Sequence, residues 1–166
     1  MFLVMPVFAI NLLSIFVFRP QLITLSEDWA NGNFKGFKKT ATKLYAWVAL
    51  VTVLALGGGY LLGIPVLELL YNADLSNEKM VFMVLLLSGG FSAASTLTLT
   101  LFTTMRKQAL CLIAYGATIL FALIMPDIMT SAWGLMGAAL SYLCEMAMLF
   151  IIMFVMFLIS VGRKKQ

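Results

Sequence analysis

One acidic residue is distinguished from the other polar and charged side chains of this sequence by its apolar surroundings. Glu145 lies within a long apolar run of the chain. A charged group at the centre of a membrane helix costs about 2.5–3.5 kcal/mol on insertion, so such residues usually face a bundle interior and are often functional. A carboxyl group there could carry a proton or a cation. The alternative is a protonated or hydrogen-bonded carboxyl group with a structural role.

Residues for enzymatic chemistry are scarce. The sequence has no histidine, which removes the most common general base and metal ligand. Cys111 and Cys144 do not form a Cys-x-x-Cys pattern, and we expect small buried side chains rather than a disulfide or a metal site. The glycines at 57–59 lie inside an apolar run and predict close helix packing or a bend. We therefore expect a protein that is not an enzyme and that binds neither a cofactor nor a metal.

Basic residues form a second kind of candidate site. Between residues 34 and 44, apolar positions recur at helical spacing, and four lysines fall between them: Lys35, Lys38, Lys39 and Lys43. This pattern predicts a short amphipathic helix on the inner leaflet, where each lysine contributes about 1 kcal/mol near an anionic surface. The segment is either a positive loop without a specific ligand or a site for anionic lipid or a lipid-linked phosphate. Arg19 and Arg106, at the edges of apolar runs, are further substrate-binding candidates beside Glu145.

Small and hydroxyl-bearing residues form two faces within the apolar runs. The first is a stripe at intervals of three and four: Ser88, Ser92, Ser95, Thr96, Thr100 and Thr103. The second comprises Gly134, Gly137, Ala138 and Ser141. Such faces allow helices to approach closely in lipid, and hydroxyl groups can bond between helices. The stripe could alternatively line a water-filled path.

The elements that position these residues follow from composition. Hydrophobic residues make up 63% of the 166 residues and charged residues only 11%, whereas a soluble domain has about 25% charged residues. About 20 apolar residues in a helix cross a bilayer. The sequence predicts an all-α polytopic membrane protein with five spans, at about 2–18, 44–62, 80–104, 108–125 and 133–160. Residues 1–18 would form one helix, 19–43 a cytoplasmic basic loop with the interfacial helix, and 44–166 a bundle of four spans.

Topology follows from the basic residues. Ten of the 11 lie in the first loop, the third loop and the C-terminal tail, which places these segments in the cytoplasm. The first span begins at Phe2 without a polar or basic leader, and its positive charge follows the apolar run. We therefore expect the end of a longer membrane protein. The alternative is a complete small protein whose first helix is a reverse anchor.

The order of several segments resembles polysaccharide and oligosaccharide flippases. The first loop is similar in Arg-Pro at 19–20, Ile-Thr-Leu-Ser at 23–26 and Gly-Asn-Phe-Lys-Gly-Phe at 32–37. An outer segment at 64–71 is similar to an apolar-Pro-apolar run that ends in an aromatic residue, with Asn72 in place of the usual glycine. Gly-Leu-Met-Gly-Ala-Ala at 134–139 resembles the start of the family's last core helix.

The resemblance implies membership of the multidrug/oligosaccharidyl-lipid/polysaccharide (MOP, MATE-like) exporter superfamily, whose members usually have twelve to fourteen helices in two lobes. It would make this chain the last five helices of the core. The implied function is outward movement of undecaprenyl-diphosphate-linked oligosaccharide across the cytoplasmic membrane, with the C-terminus in the cytoplasm. The implied partners are the bilayer, the lipid-linked oligosaccharide and a separately encoded N-terminal half, and no nucleic acid. The alternatives are a fragment of a cation-coupled multidrug exporter and a small membrane scaffold without transport.

Overall fold

The computed structural model of the protein describes residues 20–63 and 79–162, and these residues are almost entirely helical. They form five α-helices: α1 (Gln21–Ala30), α2 (Phe34–Gly58), α3 (Lys79–Thr104), α4 (Ala109–Ala122) and α5 (Met125–Gly162). A π-helical turn, Gly59–Gly63, continues α2. No strand occurs in the described ranges, so the predicted all-α class is confirmed.

Three of these helices are long and apolar enough to cross a membrane. They cover Phe34–Leu61, Lys79–Thr104 and Met125–Gly162, with 28, 26 and 38 residues. Helix α4 is apolar but has only 14 residues, which corresponds to about 21 Å. The predicted first span, 2–18, lies outside the described residues.

Helix α3 lies at the centre of the bundle, antiparallel to α2 and parallel to α5. On the α2 side, Gly90 leaves room for the Thr52 side chain, and Gly59 does the same for the side chain of Leu86. The absence of a side chain on these glycines lets the helices pack closely, which is how membrane helices associate when apolar burial alone supplies no driving force. Fourteen residues of α3 are buried, more than in any other described helix.

Helix α2 begins earlier than the sequence predicts. We expected a separate interfacial helix over about 34–44 and a span from 44, but residues 34–58 form one continuous helix. The apolar positions Phe37, Ala41 and Leu44 are buried within the bundle, so they do not face lipid. The basic segment is therefore the first three turns of a membrane-length helix.

Helix α5 is broken near its start, at the residue where the sequence places the beginning of the fifth span. The backbone of Trp133 (φ −130°, ψ 15°) and Gly134 (φ 55°, ψ −133°) is not helical. The segment before the break folds back so closely that a Cβ atom at Gly137 would collide with the Met129 carbonyl group. Glycine at 134 accepts the positive φ without the steric penalty of a side chain. The small residues predicted to pack against a neighbouring helix therefore pack partly against the chain's own preceding segment.

Candidate functional site

Aromatic packing brings the basic residues of two separate segments, the start of α2 and the turn after α3, to one end of the bundle. Phe157 near the end of α5 lies 6.3 Å from Phe37 of α2 and 6.4 Å from Phe102 of α3, measured between ring centroids. The start of α2, the end of α3 and the end of α5 therefore meet. We call this the basic end. Its described basic residues are Lys35, Lys38, Lys39, Lys43, Arg106 and Lys107.

A tight corner between α1 and α2 sets the position of the four lysines. The Asn33 amide donates to the Asp28 carbonyl oxygen at 2.8 Å, and the Gly32 amide donates to the Trp29 carbonyl oxygen at 3.3 Å. Together with a φ of 71° at Gly32, these bonds form the glycine-centred motif that commonly ends a helix. The Asn33 side chain then accepts a hydrogen bond from the Gly36 amide at 3.1 Å and caps α2.

Side-chain contacts complete the corner. Asn33 Nδ2 donates to Asp28 Oδ1 at 2.8 Å, which holds a carboxylate near the positive N-terminal end of α2. Gly36 lies close to these groups, because a Cβ atom there would be 2.8 Å from an Asp28 carboxylate oxygen and would make that side chain shift. The rings of Phe34 and Phe37 pack on Trp29, with centroids 5.5 and 5.1 Å away. Most of the first-loop motif at 32–37 thus builds a corner between two helices.

The lysines on this corner are available to solvent or lipid headgroups. All four are exposed, and they occupy the side of α2 away from Phe37 and Leu44. Helical spacing places Lys35 and Lys38 next to one another along one flank, whereas Lys43 lies on the other flank. The four lysines therefore form an exposed basic surface on α2 itself, and its contact with a membrane surface stays a prediction.

Arg106 occupies a strained position in the turn between α3 and α4. Its φ is 56°, the only positive value at a described residue other than glycine. The Lys107 amide donates to the Phe102 carbonyl oxygen at 2.9 Å, and the Arg106 amide donates to the Thr103 carbonyl oxygen at 3.1 Å, as in the α1 corner. Arg106 is exposed, and Lys107 Nζ reaches the Ser160 carbonyl oxygen of α5 at 3.5 Å.

The hydroxyl stripe of α3 is largely satisfied within its own helix. Ser88 and Ser95 are buried, and each donates to a carbonyl oxygen three or four residues earlier, at 2.7 and 2.9 Å. Thr96, Thr100 and Thr103 do the same at 2.9–3.0 Å. These bonds and the burial of the two serines favour the packing interpretation of the stripe over the water-filled path.

The sequence reasoning missed one polar contact between helices. Thr98 is not in the predicted stripe, yet its buried Oγ1 lies 2.7 Å from the hydroxyl oxygen of Tyr45 on α2. Tyr45 alone could have indicated this contact, because a tyrosine inside an apolar helix needs a hydrogen-bond partner for its hydroxyl group.

Glu145 is remote from the basic end. It is half-buried on α5, about 22 Å from Ser160 along the helix, and no hydrogen bond or ion pair joins it to another residue of the described ranges. Cys111 is buried, as predicted, but Cys144 is exposed. No group of acidic residues or cysteines within 20–63 and 79–162 could hold a metal ion. Arg19 lies outside the described residues, so its relation to these sites stays a prediction.

A groove between α2 and α5 also escaped the sequence reasoning. Near the basic end it has a volume of about 270 Å³, with Lys38 and Thr42 at its rim and Phe157 in its wall. A second part of about 400 Å³ follows α2 as far as Leu56 and is almost wholly apolar. Tyr45 and Phe154 line both parts, so the two parts adjoin, and residues of α3 such as Phe91 also line the second part. Its walls come from residues about a hundred positions apart in the chain, a pairing that no local pattern reveals.

No family model matches this chain, and no significantly similar curated protein or solved structure was found.

Proposed function

We propose that this chain is the C-terminal part of a flippase that moves undecaprenyl-diphosphate-linked oligosaccharide across the cytoplasmic membrane. The observation that carries the proposal is the basic end. The residues at 32–37 that resemble the flippase loop build a capped corner, and this corner places four exposed lysines where three membrane-length helices begin or end. A diphosphate headgroup is the kind of ligand that such a surface attracts.

The orientation belongs to the same proposal. Because positive charge is retained on the cytoplasmic side, the basic end and the C-terminus face the cytoplasm. The headgroup of a lipid-linked sugar made in the cytoplasm would first meet this end. Full transport would require a second lobe, supplied by a longer form of the chain or by a separate protein, so that the two lobes enclose a site near the midplane.

Gene deletion in the source cell tests the proposal. Loss of the flippase should reduce surface polysaccharide and leave lipid-linked oligosaccharide in the inner leaflet, measured by glycan staining and lipid extraction. The wild-type gene should restore export, and a variant with Lys35, Lys38 and Lys39 changed to Gln should restore it poorly. Lys79→Gln, at the other end of the bundle, is the matched control and should restore export fully. Normal polysaccharide after deletion would refute the proposal.

A second candidate, a cation-coupled multidrug exporter, is favoured by Glu145. A half-buried carboxyl group within a membrane-length helix, with no hydrogen bond or ion pair to another described residue, is suited to exchange a proton or a cation. On this proposal deletion raises drug sensitivity. Glu145→Gln then fails to restore resistance, whereas Glu145→Asp, which keeps the carboxyl group, restores part of it. If deletion affects neither polysaccharide nor drug resistance, the small membrane scaffold is the function that remains.

A further inference from the structure

The groove between α2 and α5 has the dimensions of a site for one lipid chain. Its apolar part extends from Tyr45 to Leu56, which is about 16 Å along α2. This length is close to half of the roughly 30 Å hydrocarbon core of a bilayer.

The walls of this part are suited to hydrocarbon. Phe150, Phe154 and Phe91 supply aromatic surface on the side facing α2. The polar atoms in the wall already have partners, because the Tyr45 hydroxyl group bonds to Thr98 at 2.7 Å and the Thr52 hydroxyl group donates to the Val48 carbonyl oxygen at 2.8 Å. An acyl chain in the groove would therefore leave no polar group of these residues unsatisfied.

The mouth of the groove is basic. Lys38 lines it, about 10 Å before Tyr45 along the helix, and Lys35 lies one turn further out on the same flank. This spacing puts positive charge at the depth of a headgroup when a chain occupies the apolar part. This charge attracts a phosphate group with a net negative charge. It makes no favourable electrostatic interaction with an apolar molecule.

We propose that this groove binds one anionic phospholipid of the surrounding bilayer. Its phosphate lies near Lys38, and one acyl chain lies against Tyr45, Phe150 and Phe154. The lipid thereby fills the space between α2 and α5 and links the stability of the bundle to the content of anionic lipid. This site does not depend on the proposed transport function.

Native mass spectrometry of the full-length chain tests the headgroup contact. The protein is incubated with phosphatidylglycerol or phosphatidylcholine in mixed micelles, and the retained lipids are counted. We expect one phosphatidylglycerol to be retained in preference to phosphatidylcholine, and Lys38→Gln to weaken its retention about fivefold, the factor that corresponds to about 1 kcal/mol. Lys43→Gln removes the same charge on the opposite flank and should leave retention unchanged. Equal effects of the two variants, or equal retention of the two lipids, would overturn the proposal.

A second pair of variants tests the acyl-chain contact. Ala49 is exposed and lines the apolar part, whereas Ala46 is exposed on α2 outside the groove. Ala49→Phe should abolish preferential retention of phosphatidylglycerol, and Ala46→Phe should preserve it. Unfolding temperature, measured for both variants, identifies any loss of fold. Retention unaffected by Ala49→Phe would show that the lipid binds elsewhere, and stronger retention of undecaprenyl phosphate in a parallel incubation would overturn the assignment to a phospholipid.

Discussion

Arg106 is the residue whose conformation departs most from what its side chain prefers. The same turn motif ends α1 and α3, with Gly32 at the positive-φ position of one and Arg106 at that of the other. A side chain in that conformation costs about 1–2 kcal/mol, and such strain tends to persist at functional sites. This conformation holds the Arg106 charge on the exposed side of the basic end. The charge lies beside the C-terminal end of α3, where it interacts favourably with the helix dipole.

Substitutions at Arg106 separate conformation from charge. Arg106→Asn should unfold at the same or a higher temperature than wild type, because asparagine tolerates this conformation. Arg106→Val should unfold at a lower temperature than wild type, because a branched side chain fits this conformation worse than the unbranched arginine side chain does. Thermal unfolding of the full chain in detergent measures both. Equal stability of the two variants would show that the turn does not have this backbone.

The hydrogen bond between Tyr45 and Thr98 should make a modest contribution to stability. Hydrogen bonds between membrane helices average about 0.6 kcal/mol by double-mutant cycles. Tyr45→Phe, Thr98→Val and the double variant should therefore give a coupling energy of roughly 0.6 kcal/mol in chemical unfolding. A coupling energy of zero would mean that the two hydroxyl groups act independently.

Gly36 is closely packed against the polar groups of the α1–α2 corner. A Cβ atom at Gly36 would displace the side chains of Asn33, which caps α2, and of Asp28, which accepts a hydrogen bond from Asn33. Gly36→Ala should therefore cost about 1 kcal/mol, as loss of an N-cap does, when unfolding is followed by circular dichroism. Gly57→Ala is the control, because nothing lies within 4 Å of a Cβ atom there. It should leave stability unchanged or raise it by about 0.5–1 kcal/mol; a similar loss at both positions would contradict the proposed role of the corner.

The helices were predictable to different degrees. The predicted span 80–104 matches α3 (Lys79–Thr104) to within one residue, because charged residues mark both of its ends. The start of α2 was placed ten residues too late, since the lysines that interrupt the apolar run occupy one exposed face of the same helix. The break at Trp133 and Gly134, which folds the preceding segment back on Gly137, could not be predicted from the small residues. Small residues indicate that some backbone packs closely there, but they do not indicate which one.

The sequence predicts which residues belong to the candidate sites, but it does not predict where these residues lie relative to one another in the fold. The exposed lysines on α2 follow from helical periodicity, which is local in sequence. The distance between Glu145 and the basic end, and the groove shared by Tyr45 and Phe154, depend on how α2 and α5 pack. Such pairings form between distant parts of a chain and leave no spacing pattern in either part.

At the scale of the whole molecule, the two ends of the bundle should face opposite sides of the membrane. Lys35 lies at the basic end and Asp127 at the other, where Lys79 Nζ sits 4.0 Å from the ring centroid of Tyr60. In a Cys111→Ser, Cys144→Ser background, Asp127→Cys should react with an impermeant maleimide in right-side-out vesicles. Lys35→Cys should react only after permeabilisation. The reverse pattern would invert the proposed orientation.

The way in which α3 holds its hydroxyl groups has a mechanical consequence. The hydroxyl groups of Ser88, Ser95, Thr96, Thr100 and Thr103 bond to carbonyl oxygens of their own helix, so these bonds travel with the helix when it moves. A small slide or rotation of α3 against its neighbours would leave all of them intact. Between α2 and α3, the Tyr45–Thr98 bond is the polar contact described above that such a movement must break. Sliding of α3 along α2 would therefore cost about 0.6 kcal/mol in hydrogen bonding, the average for one bond between membrane helices, because the hydroxyl bonds within α3 stay intact.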